Sequence, residues 1–260
     1  MVFLLVVINV TWTPYLLLSR KMNFNEVVSV LAPTGTLRAG INLSNFLLVK
    51  RVDASGVPIG VAPDMARAIA EHLGVELNLV TFPSPGELAD AVQKDLWDIG
   101  LIAAEPARAE TISFTSAYVE IEATYMVPTE SPLKSIEDVD RPGIRIAVSA
   151  RSAYDLYLTR NLRHATLVRA KGLAAASELY LVEKLDALAG LRPGLLNDAD
   201  AGNRILEGRF TAVQQSVGTA TTKTETRTFL DNFVRDAKSS GLVQRLIERH
   251  GMTGRLLVAP

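Results

Sequence analysis

The chain has 260 residues, 48% of them hydrophobic and 21% charged, which suits a globular protein of one large domain or two lobes. Lysine and arginine number 27 against 28 aspartate and glutamate, so the basic excess that a nucleic-acid binder needs is missing. Cysteine is absent, which excludes disulfides, thiolate catalysis and Cys-ligated zinc or iron–sulfur centres.

Residues 1–34 form an apolar segment and lead-in. The first 19 residues hold no charge before Arg20 and Lys21, and their length approaches the ~20 apolar residues that cross a bilayer. The basic start and small-residue cleavage site of a secretory signal are missing, and Pro14 interrupts the run. The stretch reads as a degenerate signal or anchor, or as an extension ahead of a true start at Met22. As an anchor, the basic pair after it would favour a cytoplasmic body.

Regular patterning begins at Thr36. Leu37–Ile41 reads as a strand, followed by the turn Asn42-Leu43-Ser44-Asn45-Phe46 and a hairpin-like stretch around Asp53, Gly56 and Pro58. Asp64 is expected to cap a helix in which Met65, Ile69 and Leu73 recur at i, i+4 and i+8, with Gly74 ending it. Val75–Phe82 alternates as a strand, Gly86–Lys94 reads as a helix, and Ile99–Ala104 as a buried strand. That order predicts a parallel α/β sheet.

Tyr118–Val127 reads as a long strand leaving this unit. A second α/β unit then follows: strand Ile144–Val148, a helix from Ser152, strand Thr166–Arg169, a helix over Ala174–Leu185 and strand Ala187–Ala189. Phe210–Val217 is again extended, and the last part holds a helix with Phe229, Phe233 and Ala237 on one face, a break at Gly241 and a short helix from Leu242. The reading predicts a first lobe over 35–127, a second over 128–210, and a return to the first over 211–260. Two extended crossings hinge the lobes and leave a cleft between them. His72, His164 and His250 show no ligand spacing and are expected at solvated helix ends. No GxSxG motif supports a serine nucleophile.

Between Leu37 and Gly251 the order of short motifs resembles the extracellular (periplasmic) solute-binding proteins of family 3, which serve polar amino-acid ABC transporters. The motifs are Leu37-Arg38-Ala39-Gly40, Gly60-Val61-Ala62-Pro63-Asp64-Met65-Ala66 and Trp97-Asp98-Ile99-Gly100. They continue with Arg108, Ile112-Ser113-Phe114-Thr115-Ser116-Ala117-Tyr118, Ile146-Ala147-Val148 and the stretch Gly241–Gly251. The resemblance implies a type II periplasmic-binding-protein fold: α/β, two-lobed, with two parallel-rich sheets joined by two hinge strands. It also implies a monomer that delivers a small polar amino acid or organic acid to a membrane permease, working in the periplasm or tethered by its N-terminus, with no cofactor or metal.

The resemblance places Arg108 where relatives grip a ligand carboxylate, a task suited to the parallel N–H donors of a guanidinium. The alternative is a surface arginine paired with Glu105 or Glu110. Relatives precede this arginine with hydroxyl side chains; here Ala103 and Ala104 stand instead. Asn45 and Phe46 fall in the first turn, where the family builds a wall of its site, although Phe46 equally suits the core. Ser152 opens a helix whose N-terminus favours anions. Arg151, where many relatives carry glycine, either points a second charge into the cleft or lies outside it. The basic run from Arg141 to Lys171, broken only by Asp155, reads as a solvated face.

Leu191 is the main departure from the family pattern. Amino-acid binders of the family carry there an acidic residue for the ligand ammonium. A buried ammonium without a carboxylate costs on the order of several kcal/mol. Glu120, Glu122 or Asp198 would have to substitute, or the ligand is an acid without an amine. The rival reading is an enzyme on the same scaffold, of the cyclohexadienyl or prephenate dehydratase kind, with Glu120 or Glu122 as general acid.

Overall fold

The computed structural model describes residues 22–199 and 202–260, so the readings attached to the first 21 residues lie outside the described residues. The described chain opens on a helix the sequence reading passed over, α1 (Phe24–Leu31). Asn23 and Glu26 cap it reciprocally, each side chain accepting from the other's backbone N–H. Then come β1 (Thr36–Asn42), the hairpin β2 (Arg51–Val52) and β3 (Pro58–Ile59), α2 (Val61–Leu73), β4 (Glu76–Phe82), α3 (Pro85–Ala91) and β5 (Ile99–Ala103). A single turn α4 (Pro106–Ala109) leads into β6 (Ile112–Pro128). Next are β7 (Arg145–Ser149), α5 (Ala153–Asn161), β8 (Thr166–Ala170), α6 (Leu173–Val182), β9 (Ala187–Leu191), α7 (Arg192–Asp198) and β10 (Asn203–Ile205). The chain finishes with β11 (Thr211–Ala220), α8 (Arg227–Ser239), α9 (Leu242–Arg249) and β12 (Leu257–Val258).

The expected pair of parallel-rich sheets is present as two parallel groups, and the structure joins them into one ladder. β1 lies between β4 and β5, and β7 between β8 and β9, all parallel. Antiparallel β11 and β6 connect the groups in the order β4-β1-β5-β11-β6-β9-β7-β8, and β10 and β12 add to β6. β6 begins six residues before the expected Tyr118, with Ile112 paired to Ala220 and Ala123 to Thr211. The polar residues Ser113, Thr115 and Ser116 hide its apolar alternation in the sequence.

Two of the quoted motifs interlock. Trp97 is buried and donates from its indole N–H to the Leu88 carbonyl at 2.9 Å. Gly40 and Gly100 lie beneath its ring, where an added Cβ would approach Trp97 carbons to 3.1 and 3.2 Å. Asp98 is buried and accepts from the Arg38 backbone N–H (3.0 Å), Arg38 Nε (3.0 Å) and Nη2 (2.9 Å), and Lys223 Nζ (2.9 Å). Desolvation works to raise the Asp98 pKa, but the hydrogen bonds from Arg38 and Lys223 outweigh it and hold the carboxyl below its ordinary value.

Asp64 does not cap α2. Gly60 is the N-cap, because a Cβ there would lie 2.1 Å from the Leu48 carbonyl oxygen, and only glycine lets the helix start so close to the preceding turn. Asp64 sits in the first helical turn, 2.9 Å from His250 Nε2, so His250 is buried rather than solvated. Gly74 does end α2, with φ 67°. On α8 the buried stripe is Leu230, Val234 and Ala237, so Ala237 lies on it as expected while Leu230 and Val234 take the places expected for Phe229 and Phe233. Phe229 and Phe233 turn to its edge and lie tilted against His72, with ring centroids 5.6 and 5.3 Å away.

Candidate functional site

The carboxyl ends of β1, β5, β7 and β9 converge, and open α/β sheets bind ligands outside such ends. A cavity of about 60 Å³ lies there, lined from the first parallel group by Asn42, Asn45, Ala103 and Arg108, and from the second by Ser149, Ser152, Tyr154 and Leu191. By the ~10–15 Å³ that one water needs, it holds roughly four to six waters or one small polar head group.

Arg108 is 5% exposed. Its short helix starts at Pro106, whose fixed φ suits a first helical position, and this turns the guanidinium back under β5. Nη1 donates to the Ala103 carbonyl at 2.8 Å and Nη2 to the Arg151 carbonyl at 3.0 Å, so the side chain spans both parallel groups. Among the described residues no carboxylate lies within 4.0 Å of it, neither Glu105 nor Glu110. Burial lowers its pKa to about 10, with Glu105 opposing this and Arg151 adding to it, and it remains a cation at neutral pH. A buried cation with three N–H donors to spare is a receptor for an anion.

Ser152 is the N-cap of α5 and is buried; its hydroxyl accepts from the Asp155 N–H at 3.1 Å. The preceding residue, Arg151, sits at φ 58°, in the left-handed region that glycine adopts most readily. Asp155 holds this turn by accepting from the Arg151 N–H at 2.7 Å. The Arg151 side chain does not line the cavity. It reaches across to α3 and grips Asp90 with both terminal nitrogens, at 2.8 and 2.6 Å, lying over Gly86, where a Cβ would clash with it at 2.9 Å. A second ion pair crosses the same gap, Arg160 to Glu105 at 2.7 Å.

Asn45 lines the cavity. Phe46 does not: its ring packs over Gly194 of α7 and lines a separate chamber behind Leu191. Leu191 does face the cavity. Glu120 and Glu122 lie outside it, held by Gln214 (3.0 Å) and Arg192 (2.8 Å), and Asp198 accepts from Ser177 at 3.2 Å beside the other chamber. Among the described residues, no aspartate or glutamate lines the Arg108 cavity.

Sequence reasoning missed Gln215. It is 5% exposed and lines the cavity with Val213, two positions apart on one face of β11. Its side chain makes no hydrogen bond among the described residues, and the β11–β6 register slips immediately after it. A strand pattern offers no sign of such a slip. Tyr154 was also missed; it is buried in the wall, and burial raises its pKa, opposed by the neighbouring Ser152 and Ser149 side chains.

Residues 37–253 match the family model for bacterial extracellular solute-binding proteins, family 3. An amino-acid-binding protein, AabA, of Dichelobacter nodosus is 20% identical over 161 residues, which span 61% of this chain and 64% of that protein. Among solved structures, an amino acid ABC transporter substrate-binding protein from Streptococcus pneumoniae bound to L-arginine superposes with a TM-score of 0.70. It is 19% identical, over 90% of this chain and 99% of the other. The ancestral amino acid-binding protein AncCDT-1, a precursor of cyclohexadienyl dehydratase, also gives 0.70, at 22% identity over 87% and 97% of the two chains.

Proposed function

The chain belongs to the bacterial extracellular solute-binding proteins of family 3, and on that premise we propose that it is the solute-binding component of an ABC importer for a small carboxylate-bearing ligand. The observation that carries this reading is Arg108, a buried cation with spare donors and no acidic partner, set where the two halves of the sheet meet. Arg108 and Asn45 receive the ligand on the first lobe, residues 35–127 and 211–260. Ser152 and the N–H groups of the α5 N-terminus engage it from the second lobe, residues 128–210, as β6 and β11 flex. Arg151 acts by clasping Asp90 over the closed gap. A closed monomer in the periplasm then presents both lobes to a permease.

The missing acidic wall favours an acid without an α-ammonium over an amino acid, because a buried ammonium here would find no carboxylate. The dehydratase reading lacks support: Glu120 and Glu122 are engaged in ion pairs away from the cavity. Calorimetry with propionate and with alanine, its 2-amino analogue, tests the proposal. Propionate should bind the tighter of the two; strong preference for alanine would refute the ligand class.

A further inference from the structure

Behind the Arg108 cavity lies a second, larger space. It measures about 630 Å³, within the range of ligand pockets, and sits between α6, α7, β9 and the ring of Phe46. Leu173 and Leu191 line both spaces, so these two side chains are the partition between them. The walls of the larger chamber are apolar: Phe46, Met126, Leu188 and Leu195 contribute to them. Its polar residues are largely engaged with one another, Ser177 with Asp198 at 3.2 Å and the Tyr180 hydroxyl with Asn203 Oδ1 at 2.6 Å. Leu181, 60% exposed, stands at the outer rim.

We propose that this chamber is the tail pocket of the ligand, and that the solute is an amphipathic monocarboxylic acid whose head group meets Arg108 while an aliphatic or aromatic tail passes Leu173 and Leu191. The head cavity alone is too small for more than a carboxylate and its nearest carbons. The chamber has more than ten times that volume, and its one carboxylate among the described residues, Asp198, stands at an exposed position and accepts from Ser177. Leu191 then separates the polar head from the apolar tail, a place where a charged side chain would disrupt both. This inference rests on the carboxylate reading of Arg108 and adds the second half of the ligand to it.

The test is calorimetry with straight-chain acids from propionate to octanoate, with phenylpropionate, and with octanol as a tail without a head. Affinity should rise about fourfold per methylene, the free energy of burying one such group expressed as a binding ratio, until the chamber is full. Ser177→Leu narrows the chamber from a half-buried position. It should weaken octanoate at least tenfold and leave propionate unchanged, and the propionate result reports that the head site is still folded. Leu188→Ala enlarges the chamber and should shift the optimum to longer tails. A flat series in which propionate binds and depends on Arg108 would overturn the tail pocket and leave the carboxylate reading standing. Binding of no acid at all would remove both. Octanol binding as tightly as octanoate would show a free-standing apolar site and overturn the inference.

Discussion

Replacing Arg108 by alanine separates its two tasks. Of the five N–H donors, the Ala103 and Arg151 carbonyls take two, which leaves a fork for a carboxylate. Losing charge-assisted hydrogen bonds to the ligand should cost about 1.5–3 kcal/mol, or roughly 10- to 150-fold in Kd. Stability should change little. The two carbonyl bonds are worth about 1 kcal/mol each, and their loss is offset by relief of a cation buried without a counter-ion. Net changes of ~1 kcal/mol move the melting temperature of a chain this size by about 2–4 °C. Arg108→Lys keeps the charge but not the fork, and should recover only part of the affinity. Calorimetry with propionate, alongside ligand-free melting curves for parent and both variants, reads the two effects apart. An Arg108→Ala protein that melts like the parent and binds propionate within twofold of it would refute the carboxylate anchor.

Asp98→Ala should destabilise the fold by about 3–5 kcal/mol, because it strands Arg38 and Lys223 around a buried vacancy; denaturant unfolding measures this. Since the folded-state pKa of Asp98 is depressed, its contribution is present above the unfolded value near 4 and is lost as pH falls through the lower folded value, so the parent and variant unfolding curves should converge only in that acid range. The exposed Arg151–Asp90 pair is worth roughly 0.2–1 kcal/mol. An Asp90→Ala variant should therefore weaken ligand binding by up to about fivefold without touching a ligand group, and enlarge the ligand-free particle in solution scattering; unchanged scattering would count against a clasp. Leu191→Asp should raise affinity for alanine relative to propionate, because it restores a carboxylate to a wall that now has none; an unaltered ratio would mean that the new carboxylate does not meet the ammonium.

The parallel units were legible because each rests on local signals: alternation in Val75–Phe82, the i, i+4, i+8 series of α2 and the left-handed stop at Gly74. Arg108, Ser152 and Asn45 were reachable through the family resemblance, which places them at strand and helix ends, and all three line the cavity. What escaped depends on distant partners. The first third of β6 is polar in sequence and is a strand because β11 runs beside it. Gln215 enters the site beside a register slip, and the reach of Arg151 to Asp90 requires a left-handed turn that a non-glycine residue does not advertise. α1 is hard to read from sequence because its eight residues follow closely on an apolar run and their capping box spans only Asn23 and Glu26.

The placement of β11 next to β5 has a consequence for how the chain is born. β5 is buried along its whole length, yet its neighbour on one side arrives only with residues 215–218, which pair with 100–103. At the usual 5–20 residues per second of translation, roughly 5–20 s pass in which this apolar strand has a bare edge. An unpaired edge of that kind is a template for wrong pairing with other nascent chains. The intervening residues shorten the wait in space if not in time: Asn203 pairs with Pro128, so once they have folded, β11 emerges beside β6 and has only to zip along it. Aggregation during synthesis should therefore fall on chains truncated between β5 and β11, and a holding chaperone would act on that interval.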